Sequence, residues 1–210
     1  MNNRITLAGI VNSTLEFSHE VYGEKFYNFM ISVERKSGTK DVLQCLVSEA
    51  FSGNVELGSK ISINGEIRNY NQHIGDKSHS IIYVFVKEVL PYDGNDRNEV
   101  ELNGFICKDT TYRETPLGRQ ICDFILAANR RNFKSDYVPC IAWGRNAIRA
   151  SIFDIGDNVE LTGRLQSREY TKKYEDGTEE VKTAYEVSVR TVNVINKEKK
   201  GDEYPWITEM

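Results

Sequence analysis

The sequence predicts an all-β protein built from two copies of one small barrel. Two observations carry that expectation. Apolar residues alternate with polar ones over short runs, the period of a half-buried strand, and helical spacing is almost absent. The chain also repeats itself. Leu7-Ala8-Gly9 matches Leu102-Asn103-Gly104, and Gly23, Phe29, Arg35, Asp41 and Cys45 match Gly118, Phe124, Arg130, Asp136 and Cys140, every pair differing by 95. Gly58 and Gly65 match Gly156 and Gly163 at a difference of 98. A shared glycine skeleton at constant spacing is the mark of a duplicated module.

The first copy opens with Ile5, Leu7 and Gly9-Ile10-Val11, a strand interrupted by glycine. A polar turn is expected around Ser18-His19-Glu20. Tyr27, Phe29, Ile31 and Val33 then alternate along a second strand, and Leu43, Cys45 and Val47 along a third. Ser52-Gly53-Asn54 breaks the chain. Ile61, Ile63, Gly65 and Ile67 define a fourth strand, the stretch from Asn71 to Lys77 reads as a polar loop, and Ile81 to Val89 forms the fifth. Ile81-Ile82-Tyr83-Val84-Phe85-Val86 is apolar on both parities, as burial on two faces or a contact between subunits requires. Pro, Gly, Asn and Asp without apolar periodicity mark a linker. The expected division is 1–91 for the first unit, 92–98 for the linker, 99–195 for the second unit and 196–210 for a short charged and aromatic tail.

The three extra residues of the second copy fall between its third and fourth strands. There Asn146 to Phe153 carries Ile148 and Ile152 at i, i+4, a short helix. Five strands with a helix in that place have the layout of the OB-fold, a Greek-key barrel that presents strands two and three and two loops to oligonucleotides. Its strands bend sharply, and glycine marks such corners.

The residues that carry chemistry lie between Asp136 and Tyr170. Tyr137, Ile141 and Trp143 share one parity on one strand; Arg164, Arg168 and Tyr170 share one parity on the next. Rings stack on unpaired bases and guanidinium groups pair with phosphates, so this set suits single-stranded nucleic acid. Arg130, Arg131 and Lys134 beside Phe133 are further candidates for phosphate contact, as are Lys172 and Lys173 in the stem of a hairpin around Asp176-Gly177. Tyr70 of the first copy has the parity of Arg168 and Tyr170 and is a candidate for stacking. Arg145 and Arg149 are read as structural.

Composition narrows the class. A hydrophobic fraction of 40% and a charged fraction of 28% are those of a soluble globular protein, and a net charge of −4 excludes a histone-like binder. Cys45, Cys107, Cys122 and Cys140 form no CxxC pair and read as reduced core residues, not metal ligands. His19, His73 and His79 make no triad, and no phosphate-binding loop, dinucleotide turn or HExxH motif occurs, so no enzyme and no cofactor are expected. The amino terminus lacks a signal-peptide core and no apolar run is long enough for a bilayer, from which a cytoplasmic, nucleoid-associated protein is expected.

Across about residues 99–195 the chain resembles the bacterial single-stranded DNA-binding protein family. The carrying blocks are Leu102-Asn103-Gly104, Thr115-Pro116-Leu117-Gly118, Phe124-Ile125-Leu126-Ala127-Ala128-Asn129-Arg130-Arg131, Asp136 to Gly144, Gly156-Asp157-Asn158-Val159 and Gly163 to Tyr170. The resemblance implies an OB-fold that wraps single-stranded DNA without strong sequence preference, in replication, recombination or repair, with bases stacked at Tyr137, Trp143 and Tyr170 and, more loosely, Phe133. It also implies an assembly of four folds, which a homodimer of this chain would supply. In the family a tail recruits replication and repair proteins; here Asp202-Glu203-Tyr204-Pro205-Trp206 has similar chemistry. The first copy has Val42 and Ser48 where the second has Tyr137 and Trp143. Two other functions stay open: an accessory binder of primosome or plasmid-transfer type, and a protein-interaction module built on OB-folds.

Overall fold

The computed structural model describes residues 3–74, 77–130, 132, 134–173 and 177–196. The first half contains β1 (Asn3–Val11), β2 (Glu16–Val21), β3 (Glu24–Glu34), β4 (Lys40–Ser48), the single turn α1 (Glu49–Ser52), β5 (Lys60–Ile74) and β6 (Lys77–Pro91). The second half contains β7 (Arg97–Ile106), β8 (Thr111–Glu114), β9 (Gln120–Asn129), β10 (Ser135–Trp143), α2 (Arg145–Ala150), β11 (Asn158–Lys173) and β12 (Glu179–Asn196).

Each half is an OB-fold barrel. In the first, β1 pairs antiparallel with both β3 and β5, β5 with β6, and β4 runs parallel to β6, closing the sheet on itself. The second repeats this with β7, β9, β10, β11 and β12. The alternating residues fill the core: Ile5, Leu7, Phe29, Ile31, Leu43, Cys45, Ile63 and Ile67 on one side, Leu102, Phe124, Leu126, Cys140, Leu161 and Leu165 on the other, all buried. Gly65 and Gly163 show why a bend needs glycine. A Cβ on either would stand 2.5 or 2.4 Å from the carbonyl oxygen of Phe85 or Ser188 on the neighbouring strand.

Three expectations need correction, and the run Ile81–Val86 can be placed. The polar stretch around Ser18-His19-Glu20 is not a turn but part of β2, and the second half has the matching β8. Both are outer edge strands with largely exposed side chains, so they leave no apolar alternation to read. The break at Ser52-Gly53 is the end of α1, which Ser48 caps by accepting the Ala50 amide at 3.2 Å. The loop expected from Asn71 to Lys77 is strand through Ile74, because β5 and β6 continue as a long two-stranded arm. The apolar run Ile81–Val86 is satisfied within the chain. Ile82, Val84 and Val86 enter the core, while the Tyr83 ring packs against Tyr70 and the Phe85 ring against Phe26. Ile81, Tyr83 and Phe85, on the other parity, are half-buried.

β1 and β7 pair antiparallel, which fuses the barrels into one twelve-stranded sheet. Ile5 faces Val100 in that register, and these are equivalent positions of the repeat, so a pseudo-twofold axis passes between them. The contacts around the axis come in pairs. Asn3 brackets the backbone of Ile67, and Asn98 brackets that of Leu165 in the same way. The fully buried Asp41 accepts from Arg35 and from the Ser167 amide across the boundary; the fully buried Asp136 accepts from Arg130 and from the Asn69 amide. Each arm thus reaches over to the other barrel. The bonds to Asp41 and Asp136 raise the Arg35 and Arg130 guanidinium groups above their ordinary range.

Candidate nucleic-acid interface

β10 has two faces. Val138, Cys140 and Ala142 point into the core, while Tyr137 and Trp143 stand 48% and 39% exposed at the ends of the opposite face. Ile141 shares the parity of those two rings yet is buried. It lies outside the core cluster, between Asp123 of β9 and Ser188 of β12 in register, and so forms an apolar floor beneath the outer face. On β11, Tyr170 is 39% exposed, with the Arg168 guanidinium 5.9 Å from its ring centre. Arg168 also lies 3.6 Å from Glu186. Among the described residues neither Tyr137 nor Trp143 has an aromatic partner, so both rings present a face to solvent.

Beside Trp143 opens a cleft of about 460 Å³ with Gly163 and Ser188 on its lining. Arg164, Arg119 and Arg190 line it as well. Among the described residues none of these three guanidinium groups is ion-paired. Arg164 Nε is buried and has no hydrogen-bond partner, and Arg164 Nη2 makes one long bond, 3.4 Å to Gln166. Burial holds the Arg164 pKa below the ordinary arginine range, with Arg35 and Arg190 adding like-charge repulsion against the one opposing charge of Asp41. Arg164 was among the expected phosphate contacts. Arg119 and Arg190 were not, because they sit far apart in sequence and meet only through the β9–β10–β12 topology.

The first barrel fills the equivalent place with its own side chains. Glu24, Ser48, Glu66, Phe85 and Lys87 stand where the second has Arg119, Trp143, Arg164, Ser188 and Arg190. Ser48 donates to Glu24 at 2.5 Å. Glu66 is paired with Arg68 at 2.7 Å and Lys87 at 3.4 Å. Arg68 and Lys87 lie 4.3 and 5.3 Å from the centre of the Phe85 ring, Phe85 meets Phe26 at 6.1 Å, and Phe26 stacks on His19 at 5.1 Å. Rings and cations here are stacked on each other, leaving no open aromatic face comparable to Trp143.

The other expected residues divide. Arg130, expected at a phosphate, makes a two-point pair with Asp136 and donates to the Asn69 carbonyl at 3.3 Å, which places its guanidinium at the boundary between barrels. Lys134 is exposed beside that boundary, its carbonyl accepting the Arg130 amide at 2.7 Å. Lys173 pairs with Glu179 at 2.7 Å, and Lys172 adjoins it near the tip of the second arm. Tyr70 is 45% exposed and meets Tyr83 edge-on at 5.8 Å. Its neighbour Asn69 accepts the Tyr137 amide at 2.8 Å, which ties the Tyr70 stretch to β10 of the second barrel. Arg149 donates to the Val192 carbonyl at 2.9 Å, as a structural residue does. Arg131, Phe133 and the tail from residue 197 lie outside the described residues.

The comparisons with known proteins agree with this architecture. The profile of the Single-strand binding protein family matches residues 97–195. Single-stranded DNA-binding protein 1 of Streptococcus pyogenes is 30% identical over 119 residues, 51% of this chain and 91% of that protein. Single-stranded DNA-binding protein A of Bacillus subtilis is 35% identical over 80 residues; the match takes in 35% of this chain and 46% of that protein, so the chain spans about half of several curated relatives. The crystal structure of the wild-type single-stranded DNA binding protein from Thermus aquaticus superposes with a TM-score of 0.74 at 18% identity over 96% of both chains, a likeness of fold across both barrels.

Proposed function

The chain belongs to the single-strand binding protein family, and on that premise we propose that it coats single-stranded DNA through the outer face of its second barrel. The family is non-enzymatic and its general role is in replication and repair. One observation carries the assignment to the second barrel: Trp143 is an open ring beside three arginines that have no ion pair among the described residues, and Tyr137 and Tyr170 are exposed on the same barrel, while the equivalent face of the first barrel is stacked upon itself. Stacking needs unpaired bases and tolerates any base, so the binding has little sequence preference. The first barrel serves as a scaffold that buries the other side of the β1–β7 junction and braces β10 through Asn69.

Two chains bring together four barrels, and a homodimer is the assembly proposed here. The units proposed are residues 1–91 and 99–195 with the linker 92–98 between them. Recruitment of replication or repair proteins through the tail and a cytoplasmic location complete the reading; among the described residues no helix is long and apolar enough to cross a membrane.

The test is binding to oligo-dT and to duplex DNA, with Trp143→Ala and Tyr70→Ala compared. Base–aromatic stacking is worth roughly 1–3 kcal/mol, so Trp143→Ala weakens oligo-dT binding by about tenfold or more, and Tyr70→Ala costs less. Equal affinity for duplex and single strand, or normal binding by a folded Trp143→Ala variant, refutes the stacking face.

A further inference from the structure

We propose that the cleft lined by Arg119, Arg164 and Arg190 beside Trp143 is a seat for one backbone phosphodiester of the bound strand, with the adjoining base on the indole. This inference rests on the single-strand reading above and adds to it Arg119 and Arg190.

Isolated arginines on a surface need no ligand, since their charge is solvated. Arg164 is different. Its Nε is buried and unpartnered, a donor that folding has removed from water and given nothing in return. The guanidinium groups of Arg35 and Arg190 repel it, and the one carboxylate that favours it, Asp41, already accepts from Arg35 and from the Ser167 amide. The neighbouring cleft shares Arg164 and Arg190 but not Trp143 or Arg119; its own cations Arg35, Lys36 and Arg97 are matched by the acids Glu34, Asp41, Asp96 and Glu99, whereas the lining of the Trp143 cleft has no acid. Positive charge is therefore concentrated at the Trp143 end.

The repeat supplies an internal control. The same three backbone positions in the first barrel hold Glu24, Glu66 and Lys87, two carboxylates and one ammonium, and they satisfy one another or their neighbours. The barrel as a fold does not require three cations there. Planar guanidinium groups offer paired donors that match the oxygens of a phosphate, and an exposed indole alongside fits the nucleotide to which that phosphate belongs.

The test measures affinity of the full chain for labelled oligo-dT as a function of salt. Each phosphate contact on a single strand contributes about 0.7 to the log–log slope. The double variant Arg119→Gln with Arg190→Gln removes two exposed cations from the seat; its slope is expected to be shallower by about 0.7, the share of one phosphate, so that affinity falls about 2.6-fold less between 50 and 200 mM salt. Arg164→Gln alone is expected to take off the same step, since the seat holds a single phosphate, and Arg164→Lys to keep it. Trp143→Ala weakens binding without changing the slope, and Glu24→Gln with Glu66→Gln in the first barrel leaves it unchanged. An unaltered slope in the double variant, with oligo-dT still bound, overturns the phosphate seat and leaves the single-strand reading intact. Failure of the parent chain to bind oligo-dT overturns the reading, and the seat with it.

Discussion

Asp136→Ala removes the carboxylate at one of the two paired boundaries between the barrels. The Asp136 side chain is 1% exposed and its partner Arg130 19%. The substitution leaves the guanidinium mostly buried without its counter-charge and strips the Asn69 amide of its acceptor. Breaking a buried pair by removing one member costs about 3–5 kcal/mol; the residual exposure of Arg130 favours the low end, about 3 kcal/mol. For a chain of this size each kcal/mol moves the melting temperature by about 2–4 °C, so a fall of about 6–12 °C is expected in calorimetry. The pseudo-twofold axis makes Asp41→Ala an equivalent experiment, because Asp41 binds Arg35 and the Ser167 amide with the same geometry. Replacing both members, Arg130→Met with Asp136→Leu, is expected to recover most of the loss, since no uncompensated charge is left. A shift of less than about 2 °C in Asp136→Ala, or a double replacement no better than the single one, refutes the argument that these pairs hold the barrels together.

Three further outcomes are expected. Gly163→Ala forces a Cβ onto the Ser188 carbonyl oxygen at 2.4 Å and lowers stability by about 1–3 kcal/mol in urea unfolding, whereas Gly177→Ala meets no atom and is strained only through its positive φ. Burial pushes the Glu66 carboxyl up, but the bonds and charges of Arg68 and Lys87 outweigh it and hold it below the ordinary range. Its stabilisation is complete above the unfolded value of about 4.3 and is lost as pH falls through the lower folded value, so Glu66→Gln flattens the acid limb of a melting-temperature–pH curve. Light scattering is expected to give twice the chain mass at micromolar concentration, and a monomer with full oligo-dT affinity would end the homodimer proposal.

The barrels were legible because period-two alternation and the spacings of 95 and 98 are properties of the chain itself. The open rings Tyr137 and Trp143 were legible for the same reason, as strand parity assigns a face. Parity failed at Ile141, where neighbouring strands cover a position on the outer face, and at β2 and β8, whose exposed edges carry no apolar pattern. The Asp136 partner of Arg130 was not read from the sequence because an arginine near a loop looks the same whether its partner is a phosphate or an aspartate six residues on. The recurrence of Arg35 with Asp41 at the same spacing was the signal that distinguishes them. The arginine cleft was invisible in part because cross-strand proximity is set by topology and not by sequence distance.

The junction of β1 with β7 within a single chain has a consequence for symmetry. Two identical subunits meeting at that register carry every substitution twice, so whatever one face gains the other gains as well. Here the link between Pro91 and Arg97 is short, the partner strand is always present at high effective concentration, and dilution cannot part the two. A change on either side of the axis occurs once. That freedom permits Glu66 at the position equivalent to Arg164 and Ser48 at that equivalent to Trp143: one side leaves its charge and its ring open, while the other spends its own on holding still. A strand lying across such a pair meets two unlike surfaces in a fixed order, which gives its path along the protein a direction.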